Sequence, residues 1–411
     1  MTNPKKILFI SYDGLTDPLG QSQIIPYLAG LSKYNYEFTI LSCDKPDRYK
    51  KYKSKILESL KPHSIKWVSI PYHKKPAIFS SVYDFYQLKI EAARLHRKIK
   101  FDMVHTRPGI PALLGLWMKK KWGIKFLNDI REFYADSRVD GGIWDKSSLK
   151  YKAIYNFFKK REREAIVEND AIVCLTHAAQ KIIASFPEYK KEVPLQVISC
   201  SADLELFDPT KIDAALKVNF RKELNINEDD FVVSYLGSLG GWYLTNEIMK
   251  LCKILSDRIP KTKFLFISFD EDAIRRAAKN VSLPVNKIVV RYAQRNEIPT
   301  LLSLSNYSLF FIKPCYSKKS SSPTRHGEIM AMGIPVITNA GVGDVEEIVN
   351  KYNSGIVLKE LKESEFSNAA DIVASNIDFD KNKIREGAKE YYSLSNAVQK
   401  YSEVYQQIFS T

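Results

Sequence analysis

Short apolar runs recur along the whole chain and alternate with longer segments of helical periodicity. The runs are rich in β-branched and aromatic residues and nearly continuous in apolar character. Strands of this kind, each followed by a helix, are typical of parallel sheets whose two faces are covered by helices. We therefore predict an α/β protein with strands at Lys6–Tyr12, Tyr36–Cys43, Ile65–Tyr72, Met103–Arg107, Lys125–Ile130, Ala171–Thr176, Leu195–Cys200, Phe231–Gly237, Lys263–Phe269, Lys287–Ala293, Tyr307–Pro314, Pro335–Asn339 and Gly355–Leu358.

The alternation restarts after Ser201–Asp213, where an Asp-Pro pair interrupts the pattern. A chain of 411 residues also exceeds the size of about 250–300 residues at which a single core stops growing. We predict two Rossmann-like doubly wound domains, 1–205 and 214–390, and a C-terminal helix, 391–411, that packs back toward the first domain. Such sheets bind ligands beyond the carboxyl ends of their strands, so two facing domains would hold the site in the cleft between them.

Positive charge is concentrated in the first half of the sequence. Residues 1–200 contain 35 Lys and Arg against 20 Asp and Glu, whereas residues 201–411 contain 27 of each. Within residues 51–128 the counts are 17 and 4. This asymmetry predicts an anionic partner for the first domain, either an anionic membrane surface or a diphosphate-linked acceptor. Nothing in the sequence resembles a nucleic-acid recognition module, and a solvated lysine-rich surface is the alternative.

Several features bear on the compartment. The five cysteines are odd in number and scattered, which favours free thiols in a reducing environment. The apolar run Ile7–Ile10 is too short for a secretory signal, which needs about 7–15 apolar residues. The sequence has no run of about 18 apolar residues that could span a bilayer. We predict a cytoplasmic protein, peripheral on the inner face of the plasma membrane.

The segment Ser320–Thr338 carries the most chemical information. It is a polar loop, a short helix closed by a glycine, and a strand. Backbone N–H groups, the hydroxyls of Ser321, Ser322 and Thr324, and the cation Arg325 would form an anion site at the start of the helix. Glu328, one turn later, is placed to accept hydrogen bonds from vicinal hydroxyls such as those of a ribose. The alternative is that Arg325 and Glu328 form an ordinary exposed helix pair.

The stretch Ser322–Ile337 resembles the donor-binding signature of family 4 glycosyltransferases, which are retaining enzymes of the GT-B fold. The resemblance implies a nucleotide-diphosphate sugar as donor, with UDP favoured and GDP as the alternative. It also implies that Glu328 binds the donor ribose and that Arg325 faces the diphosphate. The likeness extends over most of the chain, through Ser11–Gln23, Asp129–Arg131, Asp136–Trp144, Tyr235–Trp242 and Asn339–Asp344.

The sequence departs from the family pattern at several positions. Ser320 stands where many members have a second glutamate, and Gly237–Tyr243 lacks the Arg and Lys that commonly follow the first strand of the donor domain. These departures leave the sugar and the diphosphate contacts open. Ser238 and Arg291 are nevertheless predicted to contact the donor. The frequent His-Asp pair of the first domain is Asn128-Asp129 here.

The loop Asp13–Gly20 follows the first strand and has glycines near both ends. Gly14 and Gly20 would permit close backbone approach and positive φ. By resemblance, this loop faces the distal phosphate and the sugar of the donor. It is neither a GxGxxG nor a Walker loop, which argues against dinucleotide or ATP binding.

Charged residues follow the fourth and fifth strands of the first domain. Asp129 and Arg131 are the predicted catalytic residues, and the acceptor-side candidates are His105, Arg107, Asp136 and Arg138. The alternatives are that the acids and bases pair only with one another and that His105 is structural.

One acidic triplet, Asp270–Asp272, resembles a metal-binding Asp-x-Asp motif. Because it stands where a strand gives way to a helix, we interpret it as a helix cap. We predict no metal and no cofactor, since the nucleotide sugar is a substrate.

Together these features predict a retaining glycosyltransferase of the hexosyltransferase type. Its acceptor would be a glycan or lipid-linked molecule in surface polysaccharide synthesis. Catalysis would come from positioning and from stabilising the departing diphosphate. The alternatives are a nucleotide-sugar 2-epimerase of the same fold and a non-catalytic scaffold at a membrane surface.

Overall fold

A computed structural model describes residues 3–410 of the chain, which divides into two compact units. The first unit comprises the chain up to Ser199 together with the segment from Leu394 onward, and the second is Cys200–Ser393. The division thus falls a few residues before the predicted end of the first domain at residue 205. The last helix, predicted at 391–411, begins at Leu394 and belongs to the first unit.

The first unit is built on one sheet of seven parallel strands in the order β3-β2-β1-β4-β5-β6-β7. Its strands are β1 Lys5–Ser11, β2 Tyr36–Asp44, β3 Lys66–Pro71, β4 Met103–Thr106, β5 Lys125–Ile130, β6 Ala171–Cys174 and β7 Leu195–Val197. Its helices are α1 Pro18–Gln23, α2 Ile25–Leu31, α3 Pro46–Leu60, α4 Phe79–Ile99, α5 Ile110–Trp122, α6 Tyr134–Asp140, α7 Leu149–Glu168, α8 His177–Ala184 and the C-terminal α17 Leu394–Ser410.

The second unit is built on six parallel strands in the order β10-β9-β8-β11-β12-β13. Its strands are β8 Phe231–Leu236, β9 Thr262–Ile267, β10 Ile288–Arg291, β11 Tyr307–Leu309, β12 Val336–Asn339 and β13 Gly355–Leu358. Its helices are α9 Ala214–Glu223, α10 Thr245–Arg258, α11 Glu271–Asn280, α12 Ile298–Leu302, α13 Thr324–Ala331, α14 Val345–Tyr352, α15 Glu363–Ala374 and α16 Lys381–Tyr392.

Both sheets are doubly wound, and the strand order reverses at β1 in the first unit and at β8 in the second. Each predicted strand has a counterpart in the structure, because the central strands are buried on both faces and read as apolar runs. In β1, for example, the side chains from Ile7 to Ile10 are at most 2% exposed, and burial of each stabilises the fold by about 1.5–3 kcal/mol. The loops that follow β1, β4 and β5 share one edge of the first sheet. Those that follow β8, β11 and β12 share the corresponding edge of the second.

Helix α17 packs on the first unit through its buried tyrosine and aliphatic face. A glycine on α2, Gly30, makes the contact close, since a Cβ atom there would lie 2.5 Å from Cγ2 of Val398. None of the helices between residues 3 and 410 is long and apolar enough to cross a membrane.

Candidate active site

Helix α13 of the second unit holds the predicted ribose-binding carboxylate in a buried position. Glu328 is only 6% exposed, and its Oε1 lies 2.9 Å from Nη1 of Arg295. Burial raises the pKa of Glu328, and the nearby Arg295 and Arg325 oppose that shift. The alternative of an exposed helix pair with Arg325 is therefore wrong, because Glu328 is buried and its ion-pair partner comes from another element.

Arg325 is the second residue of α13 and lies against the loop that follows β8. Its guanidinium carbon is 3.9 Å from the ring centroid of Tyr243. Gly237, with φ of +111°, allows this approach, since a Cβ atom there would lie 2.6 Å from Nη2 of Arg325. Nη1 of Arg325 is buried and has no hydrogen-bond partner among the residues that the structure describes. A desolvated guanidinium with an unused donor is suited to an anionic ligand.

The glycine-rich loop 237–243 is held in place by Asp270. Oδ2 of Asp270 accepts a hydrogen bond of 2.9 Å from the backbone N–H of Leu239. Asp270 stands at the N-cap position of α11 but makes no side-chain cap bond to that helix. The interpretation of the acidic triplet as a helix cap is therefore wrong for Asp270, whose carboxylate fixes the loop beside Arg325 instead.

The predicted serines lie around the same edge of the second sheet. The carbonyl of Ser238 accepts a 2.6 Å hydrogen bond from the hydroxyl of Tyr235, and Oγ of Ser322 accepts one of 3.2 Å from the N–H of Cys200. Ser321 donates its N–H to the carbonyl of Lys318 at 3.1 Å. Ser320, where the resemblance led us to expect a second glutamate, is fully buried.

Arg291 is not placed as predicted for a donor-binding residue. At the end of β10, its guanidinium lies 2.6 Å from Glu223 and 2.9 Å from Glu297, and it stacks over Phe220. Two carboxylates neutralise it, which leaves little of its charge for a ligand. Arg295, which the sequence did not single out, is the arginine that reaches Glu328.

In the first unit, the loop after β1 is packed tightly around Asp44. A Cβ atom on Gly14 would lie 2.6 Å from Oδ1 of Asp44, and one on Gly20 would lie 2.4 Å from the carbonyl oxygen of Gly14. Asp44 also accepts a 3.1 Å hydrogen bond from the N–H of Thr16. The expected close approach is present, but the expected positive φ is not found at either glycine.

The two predicted catalytic residues lie in a buried ionic cluster, which we call the Asp129 cluster. Asp129 is 1% exposed, and its Oδ2 lies 3.3 Å from Arg107, 3.6 Å from His105 and 3.7 Å from Arg131. Tyr401 of α17 donates its hydroxyl to the same oxygen at 2.8 Å. The acids and bases of β4 and β5 thus pair with one another.

Charge compensation dominates the electrostatics of this cluster. Burial by itself raises the pKa of Asp129, but Arg131 and Arg107 outweigh it and hold the pKa well below its usual range. Burial lowers the pKa of His105, so its imidazole is neutral at pH 7. Nδ1 of His105 lies 2.8 Å from the hydroxyl of Tyr405. The cluster therefore joins the sheet to the C-terminal helix.

Two further contacts of this cluster were not found from the sequence. Arg131 donates from Nη2 to Oε1 of Gln23 at 3.2 Å, and Arg107 donates to the backbone carbonyl of the same residue. The near-helical spacing of tyrosines in the last segment of the sequence is the one signal that could have indicated Tyr401 and Tyr405.

The remaining acceptor-side candidates are also engaged within the first unit. Asp136 accepts hydrogen bonds of 2.8 Å from both Tyr155 and Lys159 and so ties α6 to α7. The guanidinium of Arg138 stacks on Tyr134 at 4.5 Å. Asp136 thus joins two helices and Arg138 contacts its own helix, and whether either residue binds the acceptor stays a prediction.

Within the described part of the chain, no group of three or more His, Cys, Asp or Glu side chains is arranged to hold a metal ion. The arrangement at the edge of the second sheet offers instead a carboxylate, a desolvated guanidinium and loop amides. These groups can bind vicinal hydroxyls and a diphosphate.

Comparison with known proteins agrees with this arrangement. Residues 217–390 match the family model of glycosyl transferases group 1. The match covers the sheet edge that holds Glu328 and Arg325, and it confirms the predicted enzyme class, a glycosyltransferase. Among curated protein sequences, none is significantly similar to this chain.

Solved structures resemble the whole chain. A glycosyltransferase from Rickettsia africae is 16% identical with a TM-score of 0.73, and a sucrose-phosphate synthase from Thermosynechococcus elongatus is 14% identical with a TM-score of 0.72; each alignment covers 99% of both chains. Anabaena HepE in complex with UDP is 13% identical with a TM-score of 0.70, over 98% of this chain and 99% of HepE. At such identities the likeness establishes the fold, and the predicted GT-B fold with two Rossmann-like domains is confirmed.

Proposed function

We propose that this protein is a retaining glycosyltransferase that moves a hexose from a nucleotide-diphosphate sugar, with UDP favoured, to a glycan or lipid-linked acceptor. The acceptor would belong to the synthesis of a surface polysaccharide. The enzyme would work in the cytoplasm, at the inner face of the plasma membrane.

The observation that carries the proposal is that Glu328 and Arg325 stand on the same short helix, one as a buried acceptor and the other as a cation with a buried donor. A nucleotide-diphosphate sugar presents vicinal ribose hydroxyls and a diphosphate. The buried carboxylate of Glu328 is a strong acceptor for hydroxyl protons, and Arg325 has a buried donor without a partner. On donor binding, the half-exposed Arg295 could exchange its contact with Glu328 for solvent at low cost, since its side chain is already 47% exposed.

The choice of UDP rests on a structural relative. Anabaena HepE has been solved with UDP and with UDP-glucose. At 13% identity this comparison identifies a donor to test first, and GDP-sugars remain the alternative.

The reaction requires no protein nucleophile. The bond between the anomeric carbon and the diphosphate oxygen breaks, and a bond forms from the acceptor hydroxyl oxygen to that carbon. The hydroxyl proton passes to the departing nucleoside diphosphate. Arg325 and the amides of the loop 237–243 would stabilise the charge that develops on the leaving group, without a metal ion.

A panel of nucleotides and nucleotide sugars, followed by thermal unfolding, tests the donor. A ligand that binds only the folded protein raises the melting temperature as its concentration rises. We expect stabilisation by a UDP-sugar and by UDP, and its loss in Glu328→Ala. No stabilisation by any nucleotide would contradict the proposal and favour the non-catalytic scaffold.

Product analysis separates the two enzymatic possibilities. A transferase releases nucleoside diphosphate in proportion to the glycosylated acceptor. Conversion of the donor sugar without any acceptor would favour the 2-epimerase.

A further inference from the structure

The outward face of α4 carries an apolar stripe that no other part of the described chain covers. Five large side chains on this face are between 48% and 74% exposed and recur at helical spacing: Phe79, Val82, Tyr83, Tyr86 and Ile90. We call this set the α4 stripe. The opposite face of the same helix is buried through residues such as Leu88 and Ala92. Contiguous exposed apolar surface of this kind marks an interaction site.

Cations border the α4 stripe at both ends. Lys74 and Lys75 precede the helix and are exposed. At the other end, Arg97 stands at the i+7 position from the last member of the stripe and is exposed, whereas the exposed Arg94 is paired with Glu91 through hydrogen bonds of 2.6 and 2.9 Å. The surface is therefore apolar in its centre and basic at its two ends.

A buried carboxylate fixes this surface to the sheet. Asp84, fully buried on α4, accepts a 3.1 Å hydrogen bond from the N–H of His73 and one of 2.9 Å from the hydroxyl of Tyr12. Its Oδ1 also lies 2.6 Å from Nδ1 of His73. Because Tyr12 directly follows β1, the cationic loop and the α4 stripe are anchored to the carboxyl edge of the first sheet.

The other aromatic and basic segment of this region is folded inward. Trp122 stacks on His96 with centroids 4.5 Å apart, and Trp117 meets Trp122 edge to face at 4.9 Å. Both indoles pack against the core that β1, β2 and β4 share with α4 and α5. The sequence could not distinguish these tryptophans from the aromatics of the α4 stripe, but the structure leaves the stripe as the exposed surface.

We propose that the α4 stripe and its flanking cations dock this protein on an anionic lipid bilayer, with α4 in the plane of the interface. Apolar and aromatic side chains of such a helix enter the boundary between headgroups and acyl chains, where aromatic residues are enriched. Lys and Arg at its ends pair with anionic headgroups. The segment 51–128 contains 17 basic and 4 acidic residues, and its positive charge is complementary to an anionic bilayer. The proposed function places the enzyme at a membrane without saying how it binds there; the α4 stripe would supply that contact, and in this the inference rests on the proposed function.

Co-sedimentation with lipid vesicles tests the inference on the full chain. The vesicles contain phosphatidylcholine alone or with about 30 mol% phosphatidylglycerol, at about 0.05 and about 0.5 M salt. We expect binding to the anionic vesicles at low salt, and weaker binding at high salt. The triple variant Phe79→Ser/Tyr83→Ser/Tyr86→Ser should partition at least about tenfold less, because the apolar area that enters the interface is lost.

Two further variants separate charge from apolar contact. Lys74→Gln/Lys75→Gln should weaken binding to anionic vesicles by about 25-fold, since each lysine near the surface contributes about fivefold. Val285→Ser, which removes a side chain 68% exposed in the second unit, is the matched control and should bind like the parent. All altered side chains are exposed, so melting curves should match the parent.

Three results would overturn the inference: recovery of the parent chain in the supernatant under all conditions, equal binding by the triple variant, or a lipid-independent dimer that the triple variant abolishes. The last result would make the α4 stripe an interface between copies of the chain. Sugar transfer to a lipid-free acceptor without vesicle binding would end this inference and the proposed membrane location, but it would leave the proposed reaction intact. Vesicle binding without turnover of any donor would support membrane docking and contradict the proposed glycosyltransferase reaction.

Discussion

The Asp129 cluster of the first unit and the Glu328 site of the second both centre on a buried carboxylate, but they differ in how its charge is balanced. Two arginines lie within 4 Å of Asp129, and both are largely buried with it. Glu328 has one arginine partner, which is half exposed, and Arg325 beside it keeps a buried donor unused. Two buried arginines balance the charge of Asp129, although its Oδ1 has no hydrogen-bond partner among the residues that the structure describes. Breaking such a buried ion pair is strongly destabilising, whereas a partly compensated carboxylate can take a ligand.

The same contrast extends to two buried histidines. Nδ1 of His105 meets Tyr405 at 2.8 Å, and Nδ1 of His326 meets Tyr392 at 2.9 Å. His105 has Asp129 nearby, which opposes the effect of burial on its pKa. His326 has no such carboxylate, and burial lowers its pKa to about 3. Both rings are neutral at pH 7, but only His326 in the second unit is buried without a carboxylate that would offset the fall in its pKa.

Removal of Asp129 should have the largest effect on stability. Asp129→Ala leaves Arg107 and Arg131 buried without their counter-charge, so the free energy of unfolding should fall by about 3–5 kcal/mol. Urea denaturation measures this change. Glu188→Ala, which removes a surface ion pair with Arg163, is the control and should change the free energy of unfolding little. Unchanged stability with lost turnover would show that Asp129 is catalytic, as the sequence predicts.

Acidification should destabilise the second unit through His326. The pKa of His326 is about 3 when folded and about 6.5 when unfolded. Between these values the unfolded chain binds a proton that the folded chain does not, so stability falls as the pH falls. The slope is at most about 1.4 kcal/mol per pH unit for this group.

The variant His326→Gln isolates that contribution. Chemical denaturation from pH 7 to pH 4 should show a shallower decline in this variant than in the parent, while the exposed His177→Gln should follow the parent. Parallel slopes for all three proteins would mean that His326 titrates normally.

Loss of Glu328 should affect donor binding more than folding. Hydrogen bonds to charged groups are worth about 1.5–3 kcal/mol each, so Glu328→Ala should weaken donor affinity or turnover by at least about tenfold. Kinetics at varied donor and saturating acceptor measure the effect. Glu223→Gln alters a carboxylate of the same unit that pairs with Arg291, and it should behave like the parent. A normal response to donor in Glu328→Ala would disprove the ribose assignment.

Removal of metal ions by chelation should have the smallest effect on activity. If Arg325 and loop amides neutralise the diphosphate, activity should persist in excess EDTA. Asp270→Asn should also retain activity, because the amide oxygen can still accept the hydrogen bond from Leu239. Lost activity that Mg²⁺ or Mn²⁺ restores would show that a metal takes part and would return Asp270 to consideration as a ligand.

Local pattern was sufficient for the strands and for the helix that carries Glu328. Central strands of a doubly wound sheet are apolar on both faces, so they stand out in the sequence without knowledge of their partners. The short helix is marked by its polar start and by Gly333, whose φ of +67° ends it. The contact between Arg295 and Glu328 was not accessible in this way, since the two residues are 33 positions apart and the path of the chain after β10 brings them together.

The sequence by itself determined the two successive α/β units, their parallel strands and the short helix with Arg325 and Glu328. These features follow from backbone geometry and side-chain periodicity, which act over a few residues at a time. Only the tertiary structure decided that Asp129 pairs inward, because its contact with Tyr401 spans 272 positions of the chain. It also decided that the α4 stripe faces outward while Trp117 and Trp122 do not. Such outcomes depend on which elements pack together, and packing joins residues whose separation in sequence leaves no local pattern to read.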